Sequence, residues 1–442
     1  MKIFTTYSVK IKHYNHILTD TVELYRSAVD FYIDVILREW DAFSGLSHAN
    51  DAVRIAECLS VRTAKRPLVK YSFTEVFYKF PSYLRRAAIM EAFGKVSSYK
   101  SNLWNWEQAE PAARGRKPGF PRAGYVYPAM YRDNCFVRTG TYTASIKVWI
   151  RNTWDWLSVE LKKGDVDYIL RRCRDRKECV PTLQRRGREW FLDFSFEEKV
   201  SLCDTDIFDT TVVSVDLGIN NACTCSVMRS DGTVIGREFL SLPKAEASLW
   251  HAVNRIKKAQ QHGASKMPRL WARAKGINDR IAVLTAQFIT DIAVKYNADA
   301  IVFEHLDARG KKKGSKKQRL HMWRCQYVQA MVTDKAHRLS MHIGHVCAWG
   351  TSRLAYDGSG TVERGIGGNY SICRFPTGKI YNCDLSASYN IGARYFIRKI
   401  MESLPETARL AVQAKVPELA KRSTCTLSSL ISLSAVLSAN AA

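Results

Sequence analysis

The sequence predicts a multidomain α+β protein, and three observations predict it. The chain is 442 residues long, more than one small core accommodates, so two to four domains are expected. Hydrophobic residues make up 46% and charged residues 25%, the composition of an ordinary soluble globular protein. Strand-like and helix-like stretches come in blocks. An opening strand precedes a helical block, a strand-rich block follows, and strands and helices alternate after that.

Each element has its own signal. Residues 1–17 read as a strand with its turn. From Thr19 to Asn105 the spacing is helical, with Val22, Leu24, Tyr25, Val29, Tyr32, Ile33, Val35 and Ile36 recurring at three- and four-residue steps. A second helical stretch runs from Pro81 to Trp106. The link Arg114–Arg122 is broken by Gly115, Pro118, Gly119 and Pro121, which exclude a helix. Between Val126 and Glu198 short strands dominate, such as Ser145–Ile150 and Glu189–Glu197, where Trp190, Leu192, Phe194 and Phe196 alternate with polar neighbours. Strands on both sides of the helical block indicate a small β-barrel split by an insertion. From Phe208 onward the order is strand Thr211–Gly218, strand Ala222–Met228, an Asp231-Gly232 turn and strand Val234–Leu240. A basic helical region from Pro243 to Tyr296, strand Ala300–Glu304, helix Tyr327–His342, strand Gly344–Gly350 and a helix opening at Asp384 follow. That is the order of an RNase H-like sheet. Ser423–Ala442 carries no charge, but its six serines argue against a membrane span and for a weakly ordered or docked tail.

Charge narrows the partner. Sixty-seven Lys+Arg against 42 Asp+Glu give a net charge of +25. Such an excess predicts a polyanion, and its spread along the whole chain argues against a membrane surface. The 12 cysteines are scattered singly, and Met1–Val9 reads as a strand rather than a secretory signal. A cytoplasmic protein with reduced thiols is expected.

Three acids suggest chemistry. Asp216 closes the apolar run Val212–Val215, Glu304 closes Ala300–Phe303, and Asp384 opens the last long helix. Alone, each has a plain structural reading: a turn cap for the first two, a helix N-cap for the third. Together, two strand-end carboxylates and one at a helix start suit a nuclease with two metal ions, whose mutual repulsion shared anionic oxygens offset. Asp216, Glu304 and Asp384 are therefore the candidate catalytic residues and metal ligands, and carboxylate ligation suits two Mg²⁺ ions. Gly218 would allow close approach of a phosphate. Arg114, Arg116, Lys117 and Arg122 of the link are candidate phosphate contacts. So are Lys311, Lys312, Lys313, Lys316 and Lys317 in the basic run Arg309–Arg319, which otherwise reads as a solvated loop. The aromatics Trp104, Trp106, Tyr125, Tyr127, Tyr131 and Trp154 lie among cations and are read mainly as core, with base stacking as the functional reading. Cys347, Cys373, Cys383, His342 and His345 hint at zinc, but no Cys-x-x-Cys occurs among them, which favours buried free cysteines.

The Asp216–Asn221, Val302–Leu306, Thr351-Ser352-Arg353 and Asp384–Arg394 elements together resemble the TnpB family, transposon-encoded RNA-guided DNA nucleases similar to the miniature type V CRISPR effectors. Gly115–Pro121 and Glu189–Phe194 resemble it as well. The resemblance is specific over residues 205–400, weaker over 1–204, and does not reach 403–442. It implies a wedge β-barrel (1–18 and 113–204) interrupted by a helical recognition module (19–112). A RuvC-like nuclease (205–348 and 382–402) with a small target-strand-loading insertion (349–381) would follow, then a C-terminal tail (403–442). It also implies a guide RNA and target DNA as partners, and no membrane. Family members carry two Cys-x-x-Cys pairs in the insertion. Here the positions of the first are Ala355 and Gly358, and the second is reduced to Cys373 near Thr377-Gly378, so the resemblance implies a lost zinc knuckle. The retained acids favour cleavage over an RNA-guided binding-only repressor. A miniature type V CRISPR effector or a DDE-like transposase would share an RNase H-like core, and the inserted helical module disfavours the transposase.

Overall fold

The computed structural model describes every residue except 14, 15, 112, 113, 219–221, 307–323, 370, 422 and 442; the burial of 367, 440 and 441 is also outside the description. The chain is mixed α and β and divides into two compact units, Lys2–Glu198 and Lys199–Ala442 together with Met1.

The first unit opens with β1 (Lys2–Lys10) and continues into α1 (His16–Arg38), α2 (Ala49–Ser60) and α3 (Ser82–Gln108). The three- and four-residue spacing of α1 buries Val22, Tyr25, Val29, Tyr32, Ile33 and Ile36. Strands β2 (Phe136–Gly140), β3 (Thr143–Ile150) and β4 (Thr153–Glu160) form a meander. After α4 (Lys163–Arg172) come β5 (Lys177–Glu178), β6 (Thr182–Arg186) and β7 (Glu189–Lys199). β7 pairs with β1, β5 and β6. Its alternation is realised as expected: Trp190, Leu192, Phe194 and Phe196 are all buried. The strands thus form two sheets, joined by isolated bridges such as Ile11–Leu161, rather than one continuous ladder.

The second unit is built on a five-stranded sheet of β8 (Thr211–Asp216), β9 (Cys223–Arg229), β10 (Val234–Leu240), β11 (Ala300–His305) and β12 (His342–Cys347). Its order is β10-β9-β8-β11-β12. β8 to β10 are antiparallel neighbours, and β11 and β12 run parallel to β8. Helices α5 (Pro243–Gln261) and α6 (Pro268–Lys295) replace the single helical region expected from Pro243 to Tyr296. Gly263, at φ 83°, and Pro268 at the first turn of α6 break it. Helix α7 (Cys325–Arg338) ends four residues before the expected His342, because Ser340 turns through φ 64° and His342 already pairs in β12. A small sheet of β13 (Glu363–Arg364), β14 (Ile372–Arg374) and β15 (Ile380–Asn382) leads into α8 (Cys383–Ser403). Helix α8 is buried on nearly every side. The polypeptide closes with α9 (Glu406–Lys415) and α10 (Leu427–Ala441). The uncharged tail is therefore a docked helix, with Leu427, Leu430 and Leu433 buried in the core around α8. Among the described residues, no helix is long and apolar enough to cross a membrane.

Candidate active site

Alternation along the two central strands decides where the acids point. Val212, with Met228, Ala300, Val302 and Val346, packs on the α8 side of the sheet, whereas Val213, Val215, Ile301 and Phe303 pack on the α6–α7 side. With a period of two, Asp216 shares the face of Val212 and Ser214, and Glu304 that of Ala300 and Val302. Both carboxylates therefore look toward α8. The parallel register pairs Val302 with Ser214 and Phe303 with Val215, so Glu304 continues the ladder beside Asp216.

Helix α8 brings the third acid to the same face. Asp384, Ser388 and Gly392 lie four residues apart, on one stripe. At Gly392 the helix presses so closely on the sheet that a Cβ would lie 2.5 Å from Met228 Sδ and 3.0 Å from Ser214 Oγ. The Ser388 hydroxyl bonds that of Ser226 on β9. The stripe runs down the sheet toward the carboxyl end of β8, where Asp384 stands in the first turn. The plain reading of Asp384 as a helix cap does not hold, because the cap is Asn382, whose Oδ1 accepts from the Leu385 N–H at 2.9 Å.

The electrostatics follow from this convergence. Burial pushes the Asp216 carboxyl well above the usual range, and the charges of Glu304 and Asp384 push it further; Arg364 acts in the opposite direction. Glu304 is also raised by burial, but the Thr351 hydroxyl, Arg394 and Arg364 hold it back. Thr351 Oγ1 donates to Glu304 Oε1. The segment carrying Thr351 is in turn fixed by α8. Asn390 Nδ2 donates to the carbonyls of Thr351 (3.0 Å) and Leu354 (2.9 Å), and Asn390 Oδ1 accepts from Leu427 N–H. The buried Arg394 guanidinium donates to the carbonyls of Cys347, Trp349, Ser423 and Cys425. Thr351, Asn390 and Arg394 belong to the sequence elements named above, but their position in the sequence assigned them no task. The usable signal was polar side chains at helical spacing inside an otherwise buried helix.

The donor chemistry suits hard divalent cations: Asp216 lies within electrostatic reach of Glu304 and Asp384, and repulsion between carboxylates is what a cation relieves. As positioned, however, no three His, Cys, Asp or Glu side chains among the described residues gather within reach of one ion. The histidines and cysteines that hinted at zinc likewise form no group of three among the described residues. His342 Nε2 meets the Cys203 carbonyl, Cys347 is exposed, and Cys373 and Cys383 are buried. In the small insertion, Ala355, Cys373, Phe375 and Cys383 form an apolar core flanked by Tyr356 and Tyr381. Burial, together with the neighbouring Cys383, pushes the Cys373 thiol up to about 12. Gly358 and Gly378 serve as turns at φ 78° and 84°.

The candidate phosphate contacts divide. Arg116, Lys117 and Arg122 are exposed in the first unit. The Arg114 guanidinium donates to the carbonyls of Glu107 and Ala109 and lies over the Trp106 ring, closing the end of α3. Lys311, Lys312, Lys313, Lys316 and Lys317 lie outside the described residues, as do Asn220 and Asn221 of the motif after Asp216.

The first unit defines a family. The Aq_aa04 family model matches residues 5–150. The uncharacterized protein aq_aa04 of Aquifex aeolicus (strain VF5) is 31% identical over 126 residues, which span 26% of this chain and 70% of that relative. The chain belongs to the Aq_aa04 family. Among solved structures, it is similar to Cas12f1 in an sgRNA–target DNA complex, at 14% identity and TM-score 0.33, covering 88% of this chain and 98% of that one. It is similar to CasPhi-2 (Cas12j) bound to crRNA at 11% identity and TM-score 0.38, covering 88% and 97%. Cas12i in a crRNA–dsDNA complex matches at 10% identity and TM-score 0.39, covering 97% and 67%. At such scores the reading of the acid site rests on its own residues.

Proposed function

We infer that this chain is a TnpB-like, RNA-guided DNA endonuclease that hydrolyses phosphodiester bonds in an RNase H-like (RuvC) site. One observation supports the reading: Glu304 and Asp384, from two distant stretches of sequence, both act electrostatically on the buried Asp216 at the carboxyl end of β8. The sheet order, with a three-stranded antiparallel half and two added parallel strands, supports the RNase H-like assignment. The charge of +25 supports guide RNA and target DNA as partners.

In this reading Asp216, Glu304 and Asp384 would hold two Mg²⁺ ions, which would supply Lewis acidity to the attacking water and to the leaving oxygen. The chain's own residues prepare the site. Burial keeps Asp216 and Glu304 out of bulk water, so that their attraction for a divalent cation is less screened. Thr351 fixes the orientation of Glu304, and Asn390 and Arg394 hold the segment that carries Thr351.

A second reading, RNA-guided DNA binding without cleavage, is favoured by one observation: the three acids are not gathered on a single point among the described residues. Two experiments test the readings together. RNA that copurifies with the chain is sequenced, and the chain is then supplied with Mg²⁺ and DNA matching that RNA. Cleavage at the matched site supports the nuclease. Stable binding without cleavage selects the second reading, and absence of any copurifying RNA refutes both.

A further inference from the structure

The face of the sheet that carries Asp216 and Glu304 holds one further polar group that the chemistry above does not use. Thr224 lies in β9 and is 1% exposed. Its Oγ1 is buried and has no hydrogen-bond partner among the described residues. Buried hydroxyls are nearly always partnered, so an orphan of this kind asks for an explanation. A β-branched side chain suits a strand, but valine would serve that purpose without burying an unpaired hydroxyl, which is unfavourable.

Two registers place this hydroxyl beside the acids. In the sheet, Thr224 is the cross-strand partner of Asp216 on β8. Cys223, Cys225 and Val227 pack on the α6–α7 side, so Thr224 shares the α8 side with Met228 and with Asp216. Directly opposed residues on one face have Cβ atoms about 4.5–5.5 Å apart. The second register is that of α8 on the sheet. Gly392 presses on Met228 of β9. One turn earlier, the Ser388 hydroxyl bonds that of Ser226. Beside it, the Tyr389 hydroxyl accepts from Nε of Arg237, the β10 partner of Ser226. Four residues of helix advance about 6 Å and two residues of strand about 6.6 Å, so α8 and β9 stay in step. One step further along, Asp384 comes level with Thr224 and its partner Asp216.

A hydroxyl beside a carboxylate can donate to one oxygen and so fix which oxygen is turned toward a cation. We propose that Thr224 is a positioning residue of the metal site, whose hydroxyl donates to the Asp216 carboxylate when a divalent cation is bound and holds its other oxygen toward the ion. This deepens the proposed function and rests on its metal-binding half rather than on guide RNA or target recognition.

The test uses the full chain, with Mn²⁺ titrated as the probe and free Mn²⁺ read by electron paramagnetic resonance, and with melting followed in the presence of a chelator. Thr224→Val keeps the shape and removes the hydroxyl; Thr224→Ser keeps the hydroxyl. Thr224→Val is expected to lose roughly tenfold in Mn²⁺ affinity, the effect of removing a group that orients a metal ligand. Without metal it should melt no lower than the parent, because the hydroxyl it lacks had no partner there. Thr224→Ser is expected to bind Mn²⁺ within about twofold of the parent. If Thr224→Val does not fold, Thr224→Ala is measured in its place, with the same loss of affinity expected. Parental Mn²⁺ affinity in a folded variant without the hydroxyl overturns the proposal, and so does an equal loss in Thr224→Ser. A lower melting temperature of Thr224→Val in chelator also overturns it, since the hydroxyl would then support the metal-free fold. A parent chain that binds no Mn²⁺, or binds it equally well after Asp216→Asn, refutes the metal site of the proposed function itself, and the role of Thr224 with it.

Discussion

Replacing Gly392 with alanine tests how the third acid reaches the site. The added Cβ would meet Met228 Sδ at 2.5 Å, Ser214 Oγ at 3.0 Å and Ser214 Cβ at 3.2 Å, whereas relaxed contacts lie at about 3.5–4.0 Å. Neither neighbour yields easily. Met228 is fully buried, and the Ser214 hydroxyl on the central strand donates to the Ser226 carbonyl. Overpacking of this kind costs about 1–3 kcal/mol, offset by about 0.8–1 kcal/mol for replacing glycine inside a helix. A net loss of about 0–2 kcal/mol follows. The effect on catalysis is larger. If α8 backs away by even part of the missing ångström, Asp384 moves with it, and a misplacement of about 1 Å costs on the order of 10²-fold in rate. Urea denaturation and single-turnover cleavage should therefore diverge, with a small stability change and a large rate change. Gly276→Ala on α6, where a Cβ meets nothing within 4 Å, is the control, and should gain about 0.8–1 kcal/mol without loss of rate. A Gly392→Ala variant that cleaves at the parental rate would refute the argument that close packing of α8 positions Asp384.

Three further outcomes follow from the same network. Thr351→Val removes the hydroxyl that holds Glu304, so Glu304 should rise further in proton affinity and the acidic limb of the cleavage pH profile should move to higher pH, with a rate loss of roughly tenfold or more. An unshifted acidic limb would argue that Thr351 does not touch the ionisation of Glu304. Asn390→Leu leaves two carbonyls and one N–H without partners in a buried site, which should cost roughly 2–5 kcal/mol in a chemical melt; a cost near zero would show that the segment 351–354 is held by other contacts. The third concerns pH. In the folded, metal-free chain Asp216 holds its proton to higher pH than the unfolded value of about 3.9. The folded state then binds more protons, so stability should fall as pH rises from that value through the raised one. Asp216→Asn should remove this loss and melt higher than the parent at neutral pH in the presence of a chelator; an unchanged or lower melting temperature would contradict the cost of ionising Asp216 in its buried position beside two further acids.

Much of this architecture was legible from period and punctuation. The alternation of Trp190, Leu192, Phe194 and Phe196 gave β7, the Asp231-Gly232 turn gave the β9–β10 hairpin, and apolar runs ending in acids gave β8 and β11. What escaped was set by local backbone and by tertiary contact. The α5–α6 break depends on Gly263 at positive φ within a stretch whose charges are continuous. The end of α7 depends on Ser340, a residue with no strong helix-stopping signal. Asp384 looked like a cap because acids cap helices, but the competing cap two residues earlier, Asn382, is visible only once the helix start is fixed. The supporting roles of Thr351, Asn390 and Arg394 depend on contacts between residues some 30 to 50 positions apart, which no local pattern encodes. Of Trp104, Tyr125 and Trp154, all interleaved with cations in sequence, only Trp154 is buried. Periodicity alone did not separate them, because Trp104 lies past Val96, the last buried residue of α3, and Tyr125 lies in a turn outside any helix or strand.

The most direct test of the account is the Asp216→Asn chain assayed for two activities at once, with guide RNA, matched DNA and Mg²⁺. The change keeps the size and shape of the side chain while removing a central carboxylate. The account predicts that cleavage falls by several orders of magnitude while guide and target binding stay within about twofold of the parent. Cleavage at the parental rate would contradict the assignment of the active site.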